Sequence, residues 1–389
     1  MWDLRRGGET FSGEVTSAGE AMKADEALNM LYEMLQIYSP SGKEDEIASY
    51  LEERLYDLDF VNVRRDKAGN VYGEVGSGEY TILLCGHMDT VPGYLPVKWE
   101  DDKIYGRGAV DAKSSLAAMI SAAKQLKSKI HNKGKIIVAG VVDEEGRARG
   151  IRQLIREGLS VNCAIFGEPS GVGNITFAYK GRILLTVKCR TKSGHVGAQH
   201  IYNNAIEAAF NLWMYIRDLC DQHRSPNGIF YSLTSSIIGI KSWRSMGGLP
   251  DRCRINVDLR VPPKFTSKDV IMLVKGAVEK AADDLNAEVS LRVLDRVEPF
   301  VARRDTLLMK SLSKAILEVT GREARFIRKT GTGDMNIFGS KMNIPVATYG
   351  PGNGRLSHTE YEYIDVSEYL MSIQVYERAI EKILCLTSN

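Results

Sequence analysis

Apolar positions recur every three or four residues in ALNMLYEMLQIY (27–38) and again in EIASYLEERLYDL (46–58), which predicts two opening helices. Ser41, followed three residues later by Glu44, has the form of a capping box for the second helix. The period then changes. Short apolar runs at 61–65, 71–75 and 80–86 read as strands, followed by a helix at about 112–128, a strand at 135–142, a helix at 149–157 and a strand at 162–167. This alternation predicts an α/β layered sheet. TILLCG (81–86) and IIVAGVV (136–142) are unbroken apolar runs, so they read as strands buried on both faces; they are far too short to span a bilayer.

From about residue 177 the texture shifts. RILLTVKC, a long helix at 203–223, strands near 230–241 and 253–261, a helix at 267–284 and a strand at 287–295 predict an α+β unit. The tail returns to α/β alternation, with a helix at 305–320, the apolar run IPVATYG (344–350) and a closing helix at 366–384. The expected organisation is one catalytic domain in two parts, 22–178 and 294–389, interrupted by an inserted domain at 179–293. Residues 1–21 lack apolar periodicity and are expected to be a loose extension. The longest irregular stretch is expected at 350–358, PGNGRLSHT.

Length and composition agree with a two-domain globular chain: 389 residues, 44% hydrophobic and 26% charged. With 51 basic and 49 acidic residues, the net charge of +2 gives no general case for nucleic acid or an anionic membrane. The first residues carry two arginines but no apolar segment behind them, so no secretory signal is read and a cytoplasmic location is expected. Six scattered cysteines (85, 163, 189, 220, 253, 385) form no CxxC pair and are expected as reduced, mostly buried thiols.

The candidate chemistry lies where strands end. TILLCG leads into His87 and Asp89, IIVAGVV into Asp143, Glu144 and Glu145, CAIFG into Glu168, and VATYGPG into His358. Ligands of open α/β sheets bind at the carboxyl ends of strands. Asp111 joins them from GRGAVDAK, where Gly106 and Gly108 permit a tight approach. Two imidazoles and three carboxylates supply too few oxygens for a calcium cage and lack the thiolates of a structural zinc site. They suit two divalent ions sharing one carboxylate, with Asp111 as the candidate bridge. Of the adjacent Glu144 and Glu145, one should be a ligand and the other free to move the proton of the attacking water. Asp89 is expected to orient His87.

GHMDTVPG (86–93), YGRGAVDAKSSLAAM (105–119), DEEG (143–146), GEPS (167–170) and SGHVGA (193–198) together resemble the acetylornithine deacetylase and succinyl-diaminopimelate desuccinylase family, from about residue 25 to 385. The resemblance implies a cocatalytic zinc amidohydrolase whose catalytic domain is interrupted by a lid or dimerisation domain. It implies that His87 and Glu168 hold one zinc, Glu145 and His358 the other, and that Asp111 bridges them. By the same resemblance Glu144 is the base and separates from its ligand neighbour Glu145. His195 would stabilise the oxyanion, often from a neighbouring subunit, and Arg260 would hold a substrate carboxylate. KTGTGDMNIFG (329–339) with YGPGNGRLSHT (349–359) is similar to the archaeal-type subgroup that releases lysine or ornithine from the acidic carrier protein LysW. There Thr330, Gly331, Thr332 and Asp334 would line the substrate side. Gly333 and Ser357 depart from the pattern, which has serine and aspartate at those places. The expected metals are two zinc ions, with cobalt suited to the same donors. The expected partners are LysW and a second copy of the chain. The alternatives are an acetylornithine deacetylase, a desuccinylase or a dipeptidase of the same family, or a non-catalytic binding relative.

Overall fold

The computed structural model describes residues 18–387 apart from 131, 246 and 286; most of the expected extension at 1–21 lies outside the described residues. The first part comprises α1 (Ala18–Gln36), α2 (Asp45–Asp57), β1 (Val61–Arg65), β2 (Val71–Gly76), β3 (Thr81–His87), β4 (Lys98–Glu100), β5 (Lys103–Tyr105), α3 (Lys113–Leu126), β6 (Lys135–Val141), α4 (Arg149–Arg156), β7 (Cys163–Gly167) and β8 (Asn174–Tyr179). The middle comprises β9 (Gly181–Arg190), α5 (Ala205–Gln222), β10 (Thr234–Trp243), β11 (Arg252–Val261), α6 (Ser267–Leu285) and β12 (Glu288–Val297). The last part comprises β13 (Phe300–Val301), α7 (Leu307–Thr320), β14 (Arg325–Lys329), α8 (Asp334–Met342), β15 (Val346–Tyr349), β16 (Tyr363–Asp365) and α9 (Val366–Thr387).

The large sheet runs β1-β2-β6-β3-β7-β15-β8-β13, with β14 also paired to β8. Its centre, β6-β3-β7-β15, is parallel throughout, so these four strands deliver their carboxyl ends to one edge. All seven residues of β3 are buried, as a central strand covered on both faces requires. Helices α3, α7 and α9 pack together against this sheet, and one core joins both parts of the chain that contribute to it. A small third sheet, β16-β5-β4, ties the loop after β15 to the segment before Asp111.

The middle elements form a second sheet, β10-β11-β9-β12, antiparallel at every pairing. It has its own core, in which Ile183, Leu185, Val187, Ile255 and Val257 meet Leu212 and Ile216 of α5 and Val270 and Val274 of α6. The chain enters this unit at Lys180 and leaves it at Glu298. Both crossings are gripped by one residue of α8: the Asn336 amide donates to the carbonyls of Lys180 (3.1 Å) and Glu298 (3.0 Å), while its oxygen accepts the Gly333 N–H (3.0 Å).

Ser41 and Glu44 do not form the expected capping box, because both are drawn into other bonds. The Ser41 hydroxyl donates to Asp89 (2.6 Å), and the Glu44 carboxylate accepts from the backbone of Gly42 and Asp143. The six cysteines are free, five of them buried and Cys385 exposed. Among the described residues no helix is long and apolar enough to cross a membrane.

Asn336 is fully buried, so Asn336→Ala strands two carbonyls and one N–H without partners. The expected cost is about 3 kcal/mol of unfolding free energy, read from the denaturant midpoint. An unchanged midpoint would contradict the role given to this residue.

Candidate metal centre

Two donor sets converge at the carboxyl edge of the parallel strands. Atoms of His87, Asp111 and Glu168 lie within 4.8 Å of one another, as do atoms of Asp111, Glu145 and His358. Asp111 belongs to both and splits its oxygens between them: Oδ1 is 3.3 Å from His87 Nε2 and Oδ2 is 3.4 Å from His358 Nε2. Glu145 Oε1 lies 2.7 Å from His358 Nε2, and Glu168 Oε1 is 3.9 Å from His87 Nε2. All five residues expected as ligands are thus brought together.

Each is held by the fold around it. The His87 ring faces the Asp89 carbonyl through Nδ1 (2.9 Å), which sets the tautomer and turns Nε2 towards Asp111 and Glu168. Asp89 therefore does contact His87, but through its backbone; its carboxylate is 3.6 Å from Nδ1 and is engaged elsewhere. It accepts the N–H groups of Glu144 (3.0 Å) and Glu145 (3.1 Å) as well as the Ser41 hydroxyl. Asp143, with φ of 61°, sits in the left-handed region and turns those two N–H groups towards Asp89.

Asp111 is placed by a residue that sequence reasoning missed. Glu362 Oε1 accepts the backbone N–H groups of Gly108, Val110 and Asp111, each at 3.0 Å, and its other oxygen meets Arg107 at 2.8 Å. Gly108 has φ of 92°, and a side chain there would press on Lys113 and Thr90. Glutamate four residues after His358 was a visible signal, but nothing in its local pattern pointed to backbone groups more than 250 residues away. Lys329 was also missed; its Nζ lies 3.7 Å from Glu168 Oε2.

The cluster is short of positive charge. Burial, then the charge of Glu168, pushes the Glu144 carboxyl well above its usual range. Burial pushes Glu168 up to about 7 despite Lys329, and Asp334 up to about 8. Hydrogen bonding to Asp111 and Glu145 pushes His358 up to about 10. Burial opposes a proton on His87, yet Asp111 and Asp89 hold that imidazole well above its usual value. His87 Nε2 and Asp334 Oδ1 are buried with no hydrogen-bond partner. Two imidazoles and three carboxylates, one of them shared and one ring nitrogen orphaned, are the donor chemistry that fits a pair of divalent cations.

The other expected site residues lie differently. Asp334 opens α8 and is buried beside the cluster, with Thr330, Gly331 and Thr332 in the turn before it. At Gly333 an added Cβ would make ordinary contact with Tyr179 and Glu168, so the serine of the resembled pattern would fit. Arg260 is on the second sheet with its Nε 2.7 Å from Asp258, which also pairs with Arg182 at 2.6 Å. His195 is exposed on the same unit, its Nδ1 accepting the Gly197 N–H, and it takes no part in either donor set.

A model of peptidase family M20/M25/M40 matches residues 83–382, and the chain belongs to that family of hydrolases. It is 31% identical over 358 residues to the [LysW]-lysine/[LysW]-ornithine hydrolase of Sulfurisphaera tokodaii, covering 92% of this chain and 95% of that one. A protein of the same name from Saccharolobus islandicus is 32% identical over 361 residues, covering 92% and 96%. Among solved structures, a tripeptidase from Staphylococcus aureus superposes with a TM-score of 0.81 at 21% identity, over 93% of this chain and 99% of that one. An M20 metallo-carboxypeptidase from Sulfolobus solfataricus gives 0.78 at 21% identity, over 93% and 100%.

Glu362→Ala should weaken divalent metal binding about 10- to 100-fold by loosening Asp111, with Glu362→Gln, which keeps one acceptor oxygen, falling between. Titration with a metal-buffered indicator reads this directly. Wild-type affinity in Glu362→Ala would show that the loop needs no clamp.

Proposed function

We propose that this protein is a dinuclear metal-dependent amide hydrolase that releases lysine or ornithine from the carrier protein LysW. The observation that carries the reading is the shared carboxylate of Asp111 between two donor sets, with Glu144 alongside. The names of the relatives over most of the chain support the substrate.

In this reading His87 and Glu168 would hold one cation, Glu145 and His358 the other, and Asp111 would serve both; zinc suits the donors, and cobalt is the alternative. Two such cations would polarise the scissile carbonyl and acidify the attacking water. Glu144 takes the proton from that water and returns it to the departing amine nitrogen. Its backbone N–H is held by the Asp89 carboxylate. The buried, unpaired oxygen of Asp334 supports assigning Asp334 and the preceding turn at Thr330, Gly331 and Thr332 to the substrate side.

Residues 179–293 serve as the lid and dimerisation domain. Ile238 and Ile240 on edge strand β10 and Phe210 on α5 are more than half exposed, an apolar margin suited to a second copy of the chain. His195 then serves the site of the neighbouring protomer, and Arg260 leaves Asp258 to meet a substrate carboxylate. Release of free lysine or ornithine is a closing step of amino-acid biosynthesis and is assigned to the cytoplasm.

Turnover should be brisk with LysW-linked lysine or ornithine and slow with acetylornithine, succinyl-diaminopimelate and dipeptides. The reverse order would overturn the substrate. Glu144→Gln should lower kcat by at least about 10²-fold while the metal content stays that of the wild type; retained turnover would remove Glu144 from the role of base.

A further inference from the structure

Helices α5 and α6 cover one face of the second sheet, and the ladder fixes which residues share the other. Val187, Cys189, Cys253 and Ile255 point into the core, so Lys188, Arg190, Arg252 and Arg254 point away from it. In register, Lys241, Arg254 and Lys188 form one row across β10, β11 and β9, and Arg252 and Arg190 form the next. Arg292 of β12 stands beside Thr186 on the same face. Six cations thereby share this half of the face with two carboxylates, Glu288 at the β12 edge 3.9 Å from Arg190 and Asp251 at the border 3.7 Å from Arg252. Among the described residues Lys188, Lys241, Arg254 and Arg292 have no carboxylate within ion-pair distance.

Like charges directly opposite each other across a ladder destabilise it. In a chain with 51 basic and 49 acidic residues, such rows are not the overflow of a basic protein. Trp243 walls the patch, 5.3 Å from Lys241 and 5.9 Å from Arg254. Together with Lys188, Arg190, Arg252 and Arg254 it bounds a cleft of about 440 Å³. At the other end of the same face Arg182 and Arg260 share the carboxylate of Asp258, so the cations without any ion-pair partner lie in this half.

We propose that this basic face docks an acidic polypeptide segment, the protein end of the substrate; this rests on the reading that the amino acid arrives attached to a protein. Charge complementarity selects a polyanion. A patch three strands wide, about 10 Å between outer strands, fits a compact acidic segment, and it has one aromatic ring where a nucleic acid strand would ask for a series of stacking platforms.

The test compares the full-length wild type with Lys188→Glu/Arg254→Glu and with a control, Lys280→Glu, on helix α6 across the sheet. Two substrates are used: lysine-charged LysW, and a small isopeptide in which glutamate is joined through its side-chain carboxyl to the α-amino group of lysine. The double variant should raise KM for the charged carrier about tenfold, abolish its salt dependence and leave kcat unchanged. Both enzymes should hydrolyse the small isopeptide alike, the control should match the wild type throughout, and the variant should melt close to the wild type, since the opposed Arg254–Lys188 pair is exchanged for another like-charge pair while the Lys241–Arg254 pair is relieved. An unchanged KM for the carrier, or equal losses on both substrates, overturns the proposal. If the wild type cleaves the small isopeptide and not the charged carrier, the carrier reading itself fails. Fluorescence anisotropy with a polyglutamate peptide and a single-stranded oligonucleotide then decides the face: peptide binding lost in the variant supports it, and preference for the oligonucleotide overturns it.

Discussion

Carboxylates crowded at one edge of a sheet repel one another, and much of this protein is arranged to hold them there. Among the described residues Asp111, Glu144, Glu145, Glu168 and Asp334 meet with two imidazoles and Lys329 to oppose their charge, and Arg152 acts on Asp334 besides. Burial makes the repulsion worse, and it raises the carboxyl pKa values of Glu144, Glu168 and Asp334. A pair of divalent cations would offset that charge. The same conflict explains why so many supporting bonds run to backbone and not between side chains: the acids must be fixed by what lies behind them.

Two such supports stand out, and both are themselves buried acids. Asp89 accepts the N–H groups of Glu144 and Glu145, and Glu362 accepts three N–H groups of the loop that carries Asp111. Each thereby places neighbouring residues without contributing to the donor sets. Glu362 also joins the last part of the chain to the first, since its partners lie more than 250 residues earlier. Continuity of the catalytic unit across the inserted segment rests on this clamp, on the grip of Asn336 on Lys180 and Glu298, and on the shared core.

The strands that end in acids were legible because unbroken apolar runs such as 81–86 and 136–142 have one physical explanation, burial on both faces, and because their loops carry metal-type donors. Long amphipathic helices such as 203–223 were legible for the same reason of periodicity; the helix spans Ala205–Gln222. Elements of two or three residues were not. β4, β5, β13 and β16 are too short to show a period, and α8 follows a glycine-rich turn that masks its start. The Ser41 and Glu44 pattern misled because a distant buried carboxylate competes for the serine better than a helix end does. The distinction between Glu144 and Glu145 was not legible from the residues alone, since the two are chemically identical and differ only in what surrounds them. The rows of cations on the second sheet were invisible for a related reason: they are spread over four segments and meet only through the register.

The proposed hydrolysis depends on a dinuclear centre built on Asp111. Anomalous diffraction from crystals of the zinc-loaded protein tests it most directly. Two peaks are expected, one bounded by His87 and Glu168, the other by Glu145 and His358, with a different oxygen of Asp111 on each. A single peak, or a pair that leaves Asp111 out, would contradict it.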